Sequence, residues 1–471
     1  MKNWKKLIVC SLSAVLMFTA FAACGEKGGD SENSSSSETT VERPTEEETR
    51  AKAMVATIFE QYGVEGGEGD DAYINLKENY GSDVSGFLWT NFSGVGMQYY
   101  MCKLYPDDAE QKEIYRKMLN NFKYFRQSNP ESNAAENSVK YHSGRGNTPY
   151  SGSGDCYFDD NIWVARNYLR AYEIFGDEWY LEEAIRVNNW VLSGWNNELG
   201  GLVWSEAGLS DNATEQHLER GLSANACGIM VNAMLSDYAE TEEEKEFYMD
   251  WAEKFYNFCK KMQKSDSYGY WNGIHTIINS DGTRSDGDIN RVDYAYNSGS
   301  MILADLIMYD RTDDADKKAD YMDDALGTAA DAKTTFNLVD PGAMKFYYKG
   351  DPWFAAILDE AYYELRNYEP ELADEYLKSF NDNVKTAYQN RDPKTNLCPY
   401  QATWTVTWDK NEIWGIHQIG FAEQAVIAAL YSIEGCPIQK VRPASAGGTF
   451  FEKNRFGKKE EKSRKNFVVF V

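Results

Sequence analysis

Between residues 50 and 432 an apolar pattern of helical period recurs in about twelve stretches, and the links between them alternate in length. The stretches lie near 50–62, 90–105, 107–127, 158–175, 178–194, 221–240, 242–262, 293–310, 314–335, 352–367, 371–390 and 415–432. Short acidic turns such as Tyr105-Pro106-Asp107-Asp108, Phe175-Gly176-Asp177-Glu178 and Tyr309-Asp310-Arg311-Thr312-Asp313-Asp314 follow every second stretch. Long links near 128–157, 195–220, 263–292, 336–351 and 391–414 follow the others. Helices joined by a short turn must pack side by side and antiparallel, so the chain reads as five or six α-hairpins whose long links fall on one side. The expected fold is all-α, an (α/α)6 barrel with its long loops on one face. A stacked solenoid is the competing arrangement.

The helix that opens a hairpin is the more apolar one, as in Ala224 to Leu235, Met301 to Ile307 and Ala422 to Leu430, which suits an inner ring. Glu242 to Lys264 and Ala315 to Lys333 keep an apolar stripe among many charges, as an outer layer requires. Strand signals are confined to the long loops, near Gly201-Leu202-Val203-Trp204, Ile274 to Ile278 and Ala402 to Trp408. Small hairpins are expected there.

The two ends of the chain differ from this body. Lys2, Lys5 and Lys6 precede an apolar run from Leu7 to Ala22, the layout of an export signal over residues 1–23, and too short for a membrane span. The run ends in Phe21-Ala22-Ala23-Cys24-Gly25, which resembles a lipoprotein cleavage site, with Phe21 in place of the usual Leu. By that resemblance Cys24 carries lipid, whereas an ordinary signal would be cleaved near Ala23 without it. Residues 24–48 hold little to bury and read as a flexible tether. Residues 49–436 form the body, and 437–471 a basic tail with Phe467 to Phe470 at its end, expected to be disordered. The expected place is a bacterial cell surface or the periplasm, with membrane contact through the lipid only.

The formal charge is −26, and loss of the lysine-bearing signal makes the mature chain more negative still, which excludes nucleic acid as a partner. Cys102, Cys156, Cys227, Cys259, Cys398 and Cys436 show no zinc-type spacing and are equally compatible with disulfides or buried thiols. His142, His217, His275 and His417 are too scattered to suggest a metal and read as hydrogen-bonding groups. A monomer is expected.

The long loops carry Trp195, Trp204, Tyr268, Tyr270, Trp271, Trp353, Trp404, Trp408 and Trp414. A pyranose stacks its C–H face on such rings while Asn, Asp and Tyr bind its hydroxyls. The sharpest local feature is Tyr157-Phe158-Asp159-Asp160-Asn161-Ile162-Trp163, two acids at the start of a helix after a Gly/Ser loop. A helix N-terminus favours carboxylates, while two neighbouring charges push one pKa up, so one acid can stay ionised as the other keeps its proton. Glycoside cleavage needs that asymmetry, and side chains about 5 Å apart give retention. Composition alone allows a second account: Asp159 caps the helix and Asp160 is a solvated first-turn acid.

These residues resemble glycoside hydrolase family 76, the endo-α-1,6-mannanases, with their Tyr-x-Asp-Asp-x-x-Trp segment, here Tyr157, Asp159, Asp160 and Trp163. Phe175-Gly176-Asp177-Glu178-Trp179-Tyr180-Leu181 resembles the family's Thr-Gly-Asp-x-x-Tyr-Leu, and Gly200-Gly201-Leu202-Val203-Trp204 its Gly-Gly-Gly-x-x-Trp. Ala224-Asn225 and Tyr294-Ala295-Tyr296-Asn297-Ser298-Gly299 are similar to its Ala-Asn and Tyr-x-Tyr-Asn-Gln-Gly steps. Departures are Val164 for a second Trp, Ser298 for Gln, and Gly221-Leu222 before Ser223.

The resemblance implies a retaining α-mannosidic hydrolase acting on α-mannan, with Asp159 as nucleophile and Asp160 as acid and base, and neither metal nor cofactor. It implies that Asn225, Tyr296 and Asn297 line the groove, with helix capping as their plainer role. Tyr157, Trp163 and Trp204 are expected to bind substrate, and Asp293 to bind a hydroxyl, tune the pair or cap its helix. The alternatives are a hydrolase or transglycosylase for another glycan, a glycan-capturing lipoprotein without catalysis, and a scaffold for a protein partner.

Overall fold

The computed structural model describes residues 44–133, 135–338, 347–348, 351–399 and 413–434. The expected signal, Cys24, most of the expected tether, Trp404, Trp408, Cys436 and the basic tail lie outside the described residues. Twelve α-helices run through the described chain: α1 (Glu46–Tyr62), α2 (Leu88–Leu104), α3 (Ala109–Asn121), α4 (Phe158–Phe175), α5 (Glu178–Leu192), α6 (Leu222–Ser236), α7 (Glu242–Lys260), α8 (Ala295–Arg311), α9 (Ala315–Phe336), α10 (Pro352–Leu365), α11 (Pro370–Gln389) and α12 (Gly415–Glu434). α1 takes in Glu46–Glu48, read above as the end of the tether, because Thr45 and Glu48 form a reciprocal capping box.

The short turns work through their sequence. Gly176 ends α4 in the left-handed conformation (φ 64°), and Asp177 at once starts α5 by accepting from the Trp179 amide. The two helices are thereby folded back on each other. α6 is buried almost all round, whereas α7 buries one stripe, Tyr248, Ala252, Phe255, Tyr256 and Cys259.

Packing follows that difference. α2, α4, α6, α8, α10 and α12 each pack on the next, and α12 returns to α2, which closes an inner ring. α3, α5, α7, α9 and α11 lie outside it, and α1 completes the outer layer by packing on α12, so first and last helices form the sixth pair. The expected (α/α)6 barrel is the fold, and the solenoid is excluded by the closure. Inner helices touch backbone to backbone in places: a Cβ at Gly299 would lie 2.6 Å from the Ile357 carbonyl oxygen, and one at Gly420 2.4 Å from the Trp353 nitrogen.

Strands are short and sit in the links. β1 (Gly63–Gly66) pairs with β2 (Tyr73–Leu76); β3 (Arg220–Gly221), β4 (Gly273–Ile278) and β5 (Arg284–Asn290) form one sheet; β6 (Asn337–Leu338) pairs with β7 (Tyr347–Tyr348). The expected hairpin at Ile274 to Ile278 is β4–β5, Leu202 makes only an isolated bridge to Trp195, and 402–408 lie outside the described residues. Cys102, Cys156, Cys227, Cys259 and Cys398 are buried free thiols. No helix among the described residues is long and apolar enough to cross a membrane.

Candidate active site

The long loops lead into the N-terminal ends of the inner helices, where Asp159 and Asp160 occupy the first turn of α4. Tyr157 ends the incoming loop in extended conformation and caps nothing with its side chain. The job of fixing this entry falls to Asn161, fully buried one turn inside. Its Oδ1 accepts from the Tyr141 amide at 2.7 Å, and its Nδ2 donates to the carbonyls of Tyr141 (2.9 Å) and Tyr157 (2.8 Å). A second strap comes from the next loop, where Phe158 N donates to the Trp204 carbonyl at 3.0 Å and Tyr157 bridges to Ser205. Both acids are thus presented by a backbone held from two sides.

Neither acid is a solvated surface group. Both are half-buried, and one Asp159 oxygen, Oδ1, is shut away from solvent with no hydrogen-bond partner. Burial pushes the Asp159 carboxyl up to about 6, with the Trp163 side chain opposing the shift. Burial pushes Asp160 further, up to about 8, and the neighbouring Asp159 charge adds to the shift. Near neutral pH the order leaves Asp159 ionised and Asp160 protonated. A cap and a solvated acid would show neither the burial nor the split.

The split has a measurable cost. A carboxyl whose folded pKa is raised binds its proton more tightly in the folded state, so its contribution to stability is full below the ordinary carboxylate range and is lost as pH rises toward the folded value. Asp160→Asn cannot ionise. Its melting temperature is therefore expected to exceed the parent's by a few degrees at pH 8.5, with the gap closing toward pH 4. Thermal unfolding at the two pH values checks this.

Aromatic side chains form separate clusters at the starts of the inner helices. Trp204 lies against Tyr157 with ring centroids 4.8 Å apart, both half-buried at the rim, and the Tyr157 hydroxyl donates to Asp155. Tyr296, Tyr294 and Phe354 form a second cluster, with Tyr296 4.3 Å from Phe354. Burial pushes the Tyr296 hydroxyl well up, and the Asp159 charge adds to the shift. Trp414 stacks on His417 at 5.3 Å and meets Trp89 at 6.1 Å, and His417 Nε2 lies 2.6 Å from Asp351. Trp163 lies deeper, between Phe92 and Trp353.

The other expected site residues divide. Asn297 is fully buried, donates to Asn272 at 3.2 Å and leaves its own Oδ1 without a partner. Asn225 is fully buried with both ends of its amide engaged, Oδ1 by Leu202 N and Nδ2 by the Gly221 carbonyl. It braces the segment that carries Trp204. Asp293 pairs with Lys264 at 2.7 Å, and Lys264 also sits 4.6 Å over the Trp271 ring, so this acid belongs to a rim ion pair. Sequence reasoning missed Asn161 and also Asn272, whose Oδ1 accepts from both Tyr296 and Asn297 at the edge of β4. Among the described residues, no group of His, Cys, Asp and Glu is placed to hold a metal ion.

The sequence model of glycosyl hydrolase family 76 matches residues 80–435. Nothing among curated proteins matches the chain. Solved structures do: a family 76 mannosidase from Bacteroides thetaiotaomicron aligns with a TM-score of 0.65 at 17% identity, covering 83% of this chain and 100% of that one. The GH76A α-1,6-mannanase of Salegentibacter sp. aligns with a TM-score of 0.59 at 18% identity, over 81% of this chain and 98% of that one. Dfg5 from Chaetomium thermophilum, solved with glucosamine, aligns with a TM-score of 0.56 at 16% identity, over 83% and 92%. At these identities the solved structures establish the common fold.

Proposed function

Because the chain belongs to glycosyl hydrolase family 76, we propose that this glycoside hydrolase cleaves α-mannosidic bonds with retention and acts as an endo-α-1,6-mannanase. The observation that carries the reading is the unequal burial chemistry of Asp159 and Asp160 on one helical turn. Asp159, the acid with the lower pKa, attacks the anomeric carbon and forms a glycosyl ester. Asp160, still protonated, gives its proton to the departing oxygen and then, as a base, takes one from the water that hydrolyses the ester. An inactive variant of the Salegentibacter mannanase, in which two adjacent aspartates are replaced by asparagine, is seen with α-1,6-mannotriose, and this supports the pair as the site and mannan as its ligand. Trp204 with Tyr157, and Tyr296 with Phe354, offer ring faces for sugars. We also propose that Cys24 anchors the enzyme by lipid at a bacterial surface or in the periplasm.

The test is digestion of debranched α-1,6-mannan by the soluble domain from about residue 45, with products followed by chromatography and anomeric proton NMR. Internal cleavage first yields a ladder of oligomers whose fresh reducing ends are α. Release of mannose alone would replace endo with exo action, and β reducing ends would overturn retention. Elongated products in the presence of a sugar acceptor would turn the reading to transglycosylation.

A further inference from the structure

A cavity of about 560 Å3 lies between the loop at 194–203 and the tip of the β4–β5 hairpin, within the range of about 300–1,000 Å3 in which small-molecule sites fall. None of Tyr157, Asp159, Asp160, Trp204 and Tyr296 lines it. Each wall is fixed by its own hydrogen bonds. In the loop, Asn196 Oδ1 accepts from the amides of Glu198 and Leu199, both at 3.0 Å, and Asn196 N donates to the Gly201 carbonyl at 2.9 Å. In the hairpin, Gly282 turns the chain in the left-handed conformation (φ 83°), and Asp281 Oδ1 accepts from Thr283 N at 3.0 Å and Thr283 Oγ1 at 2.6 Å. Arg220, 0% exposed, joins the two walls. Its guanidinium donates to the Gly200 carbonyl of the loop at 3.0 Å, and to Thr276 Oγ1 (3.1 Å) and Asp286 (2.6 Å) of the hairpin. The space between the walls is thus held open by a buried clamp.

Its lining has the mixed chemistry that a sugar requires. Trp195 and Leu209 supply apolar surface: Leu209 is 49% exposed, and the Trp195 ring is held edge-on by Phe255 at 5.3 Å and Trp251 at 5.7 Å. Asn197, Glu198 and Arg284 also line the cavity, and their side chains have no hydrogen-bond or ion-pair partner among the described residues. A hexose offers the counterpart, a C–H face for the apolar groups and hydroxyls that both donate and accept. An anion would meet two acids, Glu198 and Asp281, against the one arginine, and a cation would find Asp281 Oδ1 already engaged twice by Thr283. We propose that this cavity is a second glycan site, which takes one or two neutral hexosyl units of the polymer apart from the bond being cleaved, an inference that rests on the reading of the substrate as α-mannan. The loop wall runs directly into Trp204, whose carbonyl holds the start of α4, so glycan gripped in the cavity stays beside the acids after a cleaved piece departs.

The test uses the Asp159→Asn protein, which does not consume the sugar, labelled with fluorotryptophan and titrated with α-1,6-mannobiose under fluorine NMR. Trp195→Phe and Trp204→Phe assign the two signals, and both signals are expected to move and saturate. Glu198→Ala with Arg284→Ala removes no hydrogen bond or ion pair among the described residues. It is expected to raise the half-saturating concentration at Trp195 about tenfold and to leave the response of Trp204 in place. An unchanged response at Trp195 in that variant would mean that the ring senses sugar bound at the acids, and equal weakening at both rings would merge the cavity with the groove; either overturns the second site. Movement of Trp204 with Trp195 silent would overturn it as well and leave the proposed function standing. Movement of Trp195 alone would keep the second site and remove mannan from the acids, and silence at both rings would remove both.

Discussion

Asp159→Asn and Asp160→Asn are each expected to lower reducing-sugar release from debranched α-1,6-mannan by about a thousandfold or more, with the fold intact. The two losses should differ in kind. Without Asp159 no glycosyl ester forms, whatever the leaving group. Without Asp160 the ester can still form if the leaving group needs no proton, so an aryl mannoside with an acidic phenol should give Asp160→Asn a burst of phenol and Asp159→Asn none. The parent's kcat/KM is expected to be bell-shaped in pH. Below about 6 Asp159 gains a proton and stops attacking; above about 8 Asp160 loses its own and stops assisting departure. Asp160→Asn should lose the alkaline limb and keep the acid one. Equal activity of both variants and the parent would remove the pair from the chemistry.

The sequence discloses this site because its parts are neighbours in the chain: Tyr157, Asp159, Asp160 and Trp163 fall within seven residues, and the helix start orders them. The twelve helices are equally legible, since each acidic turn breaks the apolar period where a helix must end. What stays hidden depends on ring closure. Ala422 to Leu430 read as the start of a hairpin, yet the partner of α12 is α1, more than 350 residues earlier in the chain. Asn272 meets Tyr296 and Asn297 only because β4 enters beside α8, and a lone Asn in a loop carries no such signal. Asn225 shows the converse: its type and place suit a sugar ligand, and only the fold shows its amide bonded to two backbone groups. Charged residues on inner helices are the hardest to place. Arg166, Arg170 and Glu360 have the look of an outer face, and only the closed ring shows that they neutralise one another around its axis.

That arrangement makes Glu360 the position whose loss should cost most stability. Two buried guanidinium groups share its carboxylate, and Arg166 and Arg170 pull its pKa down against the burial that would raise it. Arg166→Met leaves one cation facing one anion, whereas Glu360→Ala leaves two buried cations without the carboxylate that bonds them both. The second is expected to cost about 3–5 kcal/mol, well above the first, and to appear as a large fall in melting temperature at pH 7. Part of the cost can be recovered nearby. Glu423 lies close to the same arginines, its Oε2 is buried without a partner, and burial together with the Glu360 charge holds its carboxyl up to about 8. Once Glu360 is gone that repulsion disappears and both arginines favour an ionised Glu423, so its pKa should drop and the residue should take over as counter-ion. Glu423→Gln alone removes a carboxyl that is largely protonated at pH 7 and should change stability little there. Added to Glu360→Ala it removes the substitute, and the double variant should fall well below the sum of the two single effects. If denaturant unfolding of the four proteins gave additive losses instead, Glu423 would be electrically separate from the arginines, and the barrel axis would contain two independent groups in place of one shared network.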